Sequence, residues 1–391
     1  MSARGYAAAR LVTCDPARAT RDDPLGVILN GAIVTEGDRV AWVGPRREAP
    51  AVPMEECGDL MTPGLVDAHT HSCWAGSRHD EYAVRLGGGD YEEIAKKGGG
   101  IVATQAAVAR ATEDELTQCL SARLRRMATL GVTCVEVKSG YGLEPEHELK
   151  QLRAIARASL DASLPNVAAT FLALHALPKG ANREKYVRRV VDELVPRVAE
   201  AKLAEFVDAY VDANAFRVDE ARAVGTAARA RGLGVRLHVG QFADVGGADL
   251  CAELSALSAD HLEHVSDAAI VRLASAGTHA VLLPTASFTL AQAPPPIAKL
   301  RNAAIPLVVA SDANPGTAPT ESLPLALALA VRLYGLTPDE ALLGATRNAA
   351  AALARYGPGS AKARGVLAPN AQADFVAWDL PHEISIVQPW G

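Results

Sequence analysis

With 391 residues, 49% of them hydrophobic, the chain has enough apolar material for one large α/β core and a smaller unit beside it. Its 39 basic and 45 acidic residues are interspersed and leave a net charge of -6, so there is no basic stripe for nucleic acid or for an anionic membrane surface. A small-molecule partner is expected, with neither nucleic acid nor membrane.

The N-terminus, MSARGYAAARLVTCDP, has no apolar core of signal-peptide length, and the longest apolar run, 323–331, stops at Arg332. A cytoplasmic location is expected. Cys14, Cys57, Cys73, Cys119, Cys134 and Cys251 are scattered without a CxxC pair, as for reduced thiols. Cys73 lies close to two histidines but reads as a buried structural thiol.

In chain order, residues 9–14, 27–35 and 39–43 are short β-prone runs, the last two joined by the turn Glu36-Gly37-Asp38. They are too few to fold alone. A similar segment at 365–378 suggests that residues 1–60 and 361–391 together form a small β domain, with Asn370 suited to a left-handed turn. Between them, residues 61–360 alternate apolar runs with helical stretches. Eight candidate strands (60–71, 132–139, 167–175, 206–211, 234–239, 260–263, 279–284 and 307–311) predict a TIM (β/α)8 barrel, since no glycine-rich phosphate turn follows the first. Thr112 with Glu115, and Thr337 with Glu340, read as capping boxes, the second opening a helix through 341–356. The glycine-rich stretch 73–112 reads as a loop over the barrel mouth.

In such a barrel the chemistry sits at the C-terminal strand ends, and there the polar residues collect. His69 and His71 end the first strand, Tyr141 follows the second, His175 ends the third, His238 the fifth and Asp312 the eighth, while His261 lies in the sixth. Two histidines at alternate positions could be packed core residues. With His238 and Asp312 they make three imidazoles and one carboxylate, a set that suits zinc or iron and leaves room for water. His261 is open to two readings, a fifth ligand or an acid/base group, of which the second is favoured. His79, His147, His264, His279 and His382 read as structural or surface residues.

PGLVDAHTH on the first strand, histidines on the fifth and sixth, and SDANPG after the eighth resemble the amidohydrolase superfamily. Gly76-Ser-Arg78, the segment 98–101, EVKSGYGL at 136–143, Ala259-Asp-His261 and DANPGT at 312–317 resemble the imidazolonepropionase family within it. The resemblance implies a barrel with a β domain built from both chain ends. It implies hydrolysis of the cyclic amide C–N bond of 4-imidazolone-5-propanoate to N-formimidoyl-L-glutamate, in histidine degradation.

It further implies one divalent or trivalent metal ion, zinc or iron, on His69, His71, His238 and Asp312, with His261 and Asp312 as catalytic residues. Substrate contacts are implied for Arg78, Tyr91, Tyr141, His175, Gln241, Asn314, Gly316 and Thr317. Arg78 would offer a planar fork to the propionate. Gln241 stands where some members carry Glu and cannot transfer a proton, which assigns it to binding and disfavours the alternative of a nucleobase deaminase. A non-catalytic barrel scaffold is a remoter alternative, since all four ligands are present. The fourth strand ends without the lysine that bridges two metals in other members, so one metal is expected. A homodimer is an open expectation, since sequence does not fix the oligomeric state, and the chain stops at Pro389-Trp-Gly391, where relatives usually continue.

Overall fold

In the computed structural model, which describes residues 3–86, 100–357 and 363–388, the chain ends meet in one sheet and the middle forms another. The first sheet is centred on β1 (Arg4–Val12), which runs antiparallel to β2 (Val27–Glu36); β2 in turn pairs with β3 (Arg39–Pro45). On its other edge β1 lies parallel to β4 (Met54–Glu56) and β5 (Leu60–Pro63). β14 (Phe375–Trp378) then adds antiparallel to β5. Leu11, Ile33, Val40, Val43, Met61 and Leu367 fill the sheet's core. Asn370 has φ +71° and donates its N–H to the Val40 carbonyl, taking up the left-handed position expected of it.

Eight parallel strands make the second sheet. They are β6 (Leu65–Asp67), β7 (Val132–Lys138), β8 (Asn166–Leu174), β9 (Phe206–Val211), β10 (Gly234–Val239), β11 (Ser258–His261), β12 (His279–Leu282) and β13 (Leu307–Val309). They neighbour one another in chain order, and a parallel bridge between Thr70 and Ala313 brings the segments after the first and last strands together. The α/β barrel expected from the sequence is therefore present, with helices between its strands. Among the described residues no helix is long and apolar enough to cross a membrane.

Three local expectations are corrected. The single first strand 60–71 is two strands in different sheets. Pro63 ends the first, having no N–H to donate, and from Leu65 onward the chain bonds to the barrel, its N–H going to the Gly131 carbonyl. The stretch 73–112 is not simply a loop, because it carries the helices His79–Leu86 and Ile101–Arg110; residues 87–99, with Tyr91 and the glycines at 98 and 99, lie outside the described residues. The helix expected through 341–356 divides into Pro338–Gly344 and Arg347–Ala352, because Thr346 leaves helical geometry at φ -130°, ψ -102°. Both predicted capping boxes form, at Thr112 and Thr337.

Candidate active site

His69 and His71 stand just beyond β6, on the segment that closes the barrel. Asp312 donates its N–H to the His69 carbonyl (3.1 Å), and His71 donates to the Ala313 carbonyl (3.0 Å). The two segments that carry the candidate ligands are thus bonded to each other at the seam. Thr70, between the histidines, is held from below: its N–H goes to Glu136 Oε2 (3.1 Å) and its hydroxyl to the Glu136 carbonyl (2.7 Å).

Side chains converge above this seam. His238 Nε2 on β10 lies 3.2 Å from His71 Nε2, and Asp312 Oδ1 lies 3.6 Å from His69 Nε2 and 3.5 Å from His71 Nε2. The three histidines present ligand atoms within 4.8 Å of one another, and all four residues are buried. Carboxylates fix two of the rings: His69 Nδ1 donates to Asp260 Oδ2 (2.6 Å), and His238 Nδ1 to Asp208 Oδ1 (3.1 Å). With Nδ1 carrying the proton, each ring turns an Nε2 lone pair inward. His69 Nε2 has no hydrogen-bond partner, and burial lowers the pKa of His69 and His71 well below the ordinary value, favouring the neutral form that binds a metal. Facing lone pairs, an orphaned imidazole nitrogen and an adjacent carboxylate form a set that a single cation would satisfy, so the residues fit a zinc or iron ion.

Below the histidines lies a layer of charge that the sequence reading did not assign. Lys138 Nζ sits 2.7 Å from Glu136 Oε1 and 2.8 Å from Asp208 Oδ2, while Arg236 Nη2 sits 3.5 Å from Asp260 Oδ2. Burial opposes the charge on Lys138, but Asp208 and Glu136 outweigh it and its pKa is raised; at Asp208, His238 and Lys138 outweigh burial in the other direction. The available signal was a charge in the middle of otherwise apolar strands, in VTCVEVK, FVDAYV, GVRLHV and SADH.

His261 packs beside the triad, with ring centroids 5.6 Å from His238 and 6.1 Å from His69. Its Nδ1 faces Glu263 Oε2 at 3.6 Å; burial opposes protonation, but Glu263 prevails and the pKa is raised. His261, Leu262 and Asp312 all have positive φ (+86°, +67° and +54°), strained backbone at and next to two of the residues that face the site. His175 stacks on His71 (5.4 Å, 25°) and is anchored through Nδ1 to the Gly140 carbonyl, and Tyr141 packs against both rings.

Gln241 accepts from the Tyr210 hydroxyl (2.8 Å), whose ring meets His238. The amide of Asn314 is used within its own loop: Oδ1 accepts from the Gly316 and Thr317 N–H groups, and Nδ2 donates to the Asp312 carbonyl and to Thr317 Oγ1. Arg78 donates to Glu81 and lies so close to Gly316 that a side chain there would strike its guanidinium. The structure thus gathers His69, His71, His175, His238, His261, Asp312 and Tyr141 in mutual contact, with Gln241 behind Tyr210 and Arg78 beside the 312–317 loop. Of the predicted site residues, only Tyr91 falls outside the described residues.

The model of the amidohydrolase family matches residues 60–390. The imidazolonepropionase of Chromobacterium violaceum is 44% identical over 392 residues, 98% of this chain and 92% of that protein. The imidazolonepropionase of Shewanella sediminis is 42% identical over 377 residues, 94% of this chain and 91% of its own length. The chain belongs to the amidohydrolase family, among the imidazolonepropionases. Solved structures agree on the fold. N-isopropylammelide isopropylaminohydrolase from Burkholderia multivorans superposes with TM-score 0.70 at 19% identity, covering 99% of this chain and 94% of that one. Atrazine chlorohydrolase from Arthrobacter aurescens, a zinc complex, gives 0.71 at 16%, covering 98% and 91%.

Proposed function

We propose that this amidohydrolase opens the ring of 4-imidazolone-5-propanoate, hydrolysing its cyclic amide C–N bond to give N-formimidoyl-L-glutamate in histidine breakdown. The observation that carries this reading is the convergence of His69, His71, His238 and Asp312 at the barrel seam, in a chain 44% identical to an imidazolonepropionase along nearly its whole length. Those four residues would hold one zinc or iron ion, which would supply Lewis acidity and make water nucleophilic near neutral pH.

The remaining steps belong to the chain's own groups. Arg78 holds the propionate through charge-assisted hydrogen bonds, and Gly316 and Thr317 contact the substrate from a loop that Asn314 braces; Tyr91 is a further substrate contact implied by the family resemblance alone. Tyr141 and His175, packed together against His71, position the ring. Gln241, oriented by Tyr210, donates or accepts a hydrogen bond but moves no proton. His261 or Asp312 moves the proton to the leaving nitrogen. Glu263 favours the charged form of His261 against burial, while burial pushes the Asp312 carboxyl up to about 7, so each holds a proton more tightly than its ordinary counterpart.

Freshly made imidazolonepropionate should be opened by the purified, metal-loaded chain. His69→Ala should lower kcat/KM at least about a hundredfold, since losing a ligand removes several kcal/mol of transition-state stabilisation. No turnover by the loaded parent chain would sink the assignment. Elemental analysis of the same preparation distinguishes zinc from iron, and two equivalents per chain would overturn the single-metal reading.

A further inference from the structure

We propose that Lys138 is a positioning residue for the metal centre, its ammonium tying together the three carboxylates that aim the histidine ligands. The proposal rests on the metal reading above and goes beyond it, since Lys138 touches neither a ligand nor the substrate pocket.

The connections run through one atom. Lys138 Nζ lies 2.7 Å from Glu136 Oε1, 2.8 Å from Asp208 Oδ2 and 3.9 Å from Asp260 Oδ2. Each carboxylate has a second task. Glu136 Oε2 accepts the N–H of Thr70, the peptide between His69 and His71. Asp208 holds Nδ1 of His238, and Asp260 holds Nδ1 of His69. Lys138 also donates its backbone N–H to the Thr70 carbonyl at 3.0 Å, so the peptide between the two histidines is gripped on both sides. The ammonium sits within hydrogen-bond distance of Glu136 and Asp208, and Asp260 stands beyond that distance but within ion-pair reach, so one charge faces carboxylates from three strands.

Arg236 does not duplicate this role. It approaches Asp260 (3.5 Å) and Glu136 (3.9 Å), but Nη1 and Nη2 go at 2.7 Å to the carbonyls of Ala352 and Ala68. Buried ion pairs often stabilise a fold no better than apolar packing, so stability alone is a weak reason for a lysine at this point. Its placement on the supports of the ligands is the stronger one.

Zinc affinity, read by chelator competition, and the rise in Tm on zinc loading separate positioning from plain stability. The full-length parent is compared with Lys138→Arg, Lys138→Met, Glu136→Gln and His69→Ala. Both lysine variants should bind zinc about ten- to a hundredfold more weakly, with a smaller zinc-linked rise in Tm, as for other outer partners of metal ligands. In cobalt-loaded protein, the visible spectrum should shift in the same variants.

Lysine variants that keep parental zinc affinity, within threefold, would overturn the proposal while leaving the metal centre intact. A parent that binds no zinc, or His69→Ala binding as well as the parent, would instead remove the metal centre itself. If neither lysine variant folds, Glu136→Gln decides, because it cuts one arm with almost no change in shape: tenfold weaker binding supports the proposal, and parental binding refutes it.

Discussion

Arg78 and the thiols show how differently single side chains on this chain are placed. Arg78 is half-buried, paired with Glu81 at 2.8 Å, and turned toward the loop that begins at Asp312. Charge-assisted hydrogen bonds contribute about 1.5–3 kcal/mol. Arg78→Met should therefore raise KM about ten- to a hundredfold while changing kcat far less; an unchanged KM in steady-state assays would remove Arg78 from substrate binding. The cysteines are the opposite case. Burial pushes the Cys14 thiol up to about 11 and the Cys73 thiol up to about 12, whereas Cys57 and Cys119 are only partly buried. Alkylation of the native protein, followed by mass spectrometry, should label Cys57 and Cys119 first and reach Cys14, Cys73, Cys134 and Cys251 only on unfolding. Early labelling of Cys73 would contradict the buried position beside His71.

Helix starts were plain in the sequence because capping is a local interaction. In each box a threonine hydroxyl accepts from the N–H three residues on, and the glutamate there accepts from the threonine N–H. Thr337→Ala should lower stability by about 1 kcal/mol in denaturant unfolding and leave kcat/KM unchanged; a loss of activity would mean that this helix reaches the site. The divided first strand was not legible. Residues 60–71 carry one unbroken β-prone pattern, and only their partners, β14 on one side and β7 on the other, show that the chain changes sheets at Pro63.

Across the whole molecule, Trp378 is one of the side chains that tie the small sheet to the barrel. Its indole N–H donates to Thr62 Oγ1 at 2.8 Å, and its ring fills the space a side chain at Gly131 would need, just before β7. Gly131 has φ +87°, so Gly131→Ala meets both backbone strain and this ring. The substitution should cost about 1–3 kcal/mol in equilibrium unfolding. A neutral result would show that the two sheets are not locked together at this contact.

By itself the sequence determined the eight-strand barrel, the pairing of the chain ends, the capped helices and the four candidate ligands. Strand periodicity, capping and the residue types at strand ends are all properties of short stretches of chain. Only the tertiary structure decided what stands behind the candidate ligands. Glu136, Lys138, Asp208, Arg236 and Asp260 come from four strands spread over more than a hundred residues, and each alone is simply a charge in an apolar run. Barrel closure turns those inward positions into one layer, where burial leaves every charge in need of a partner and the nearest available partners are the supports of His69 and His238.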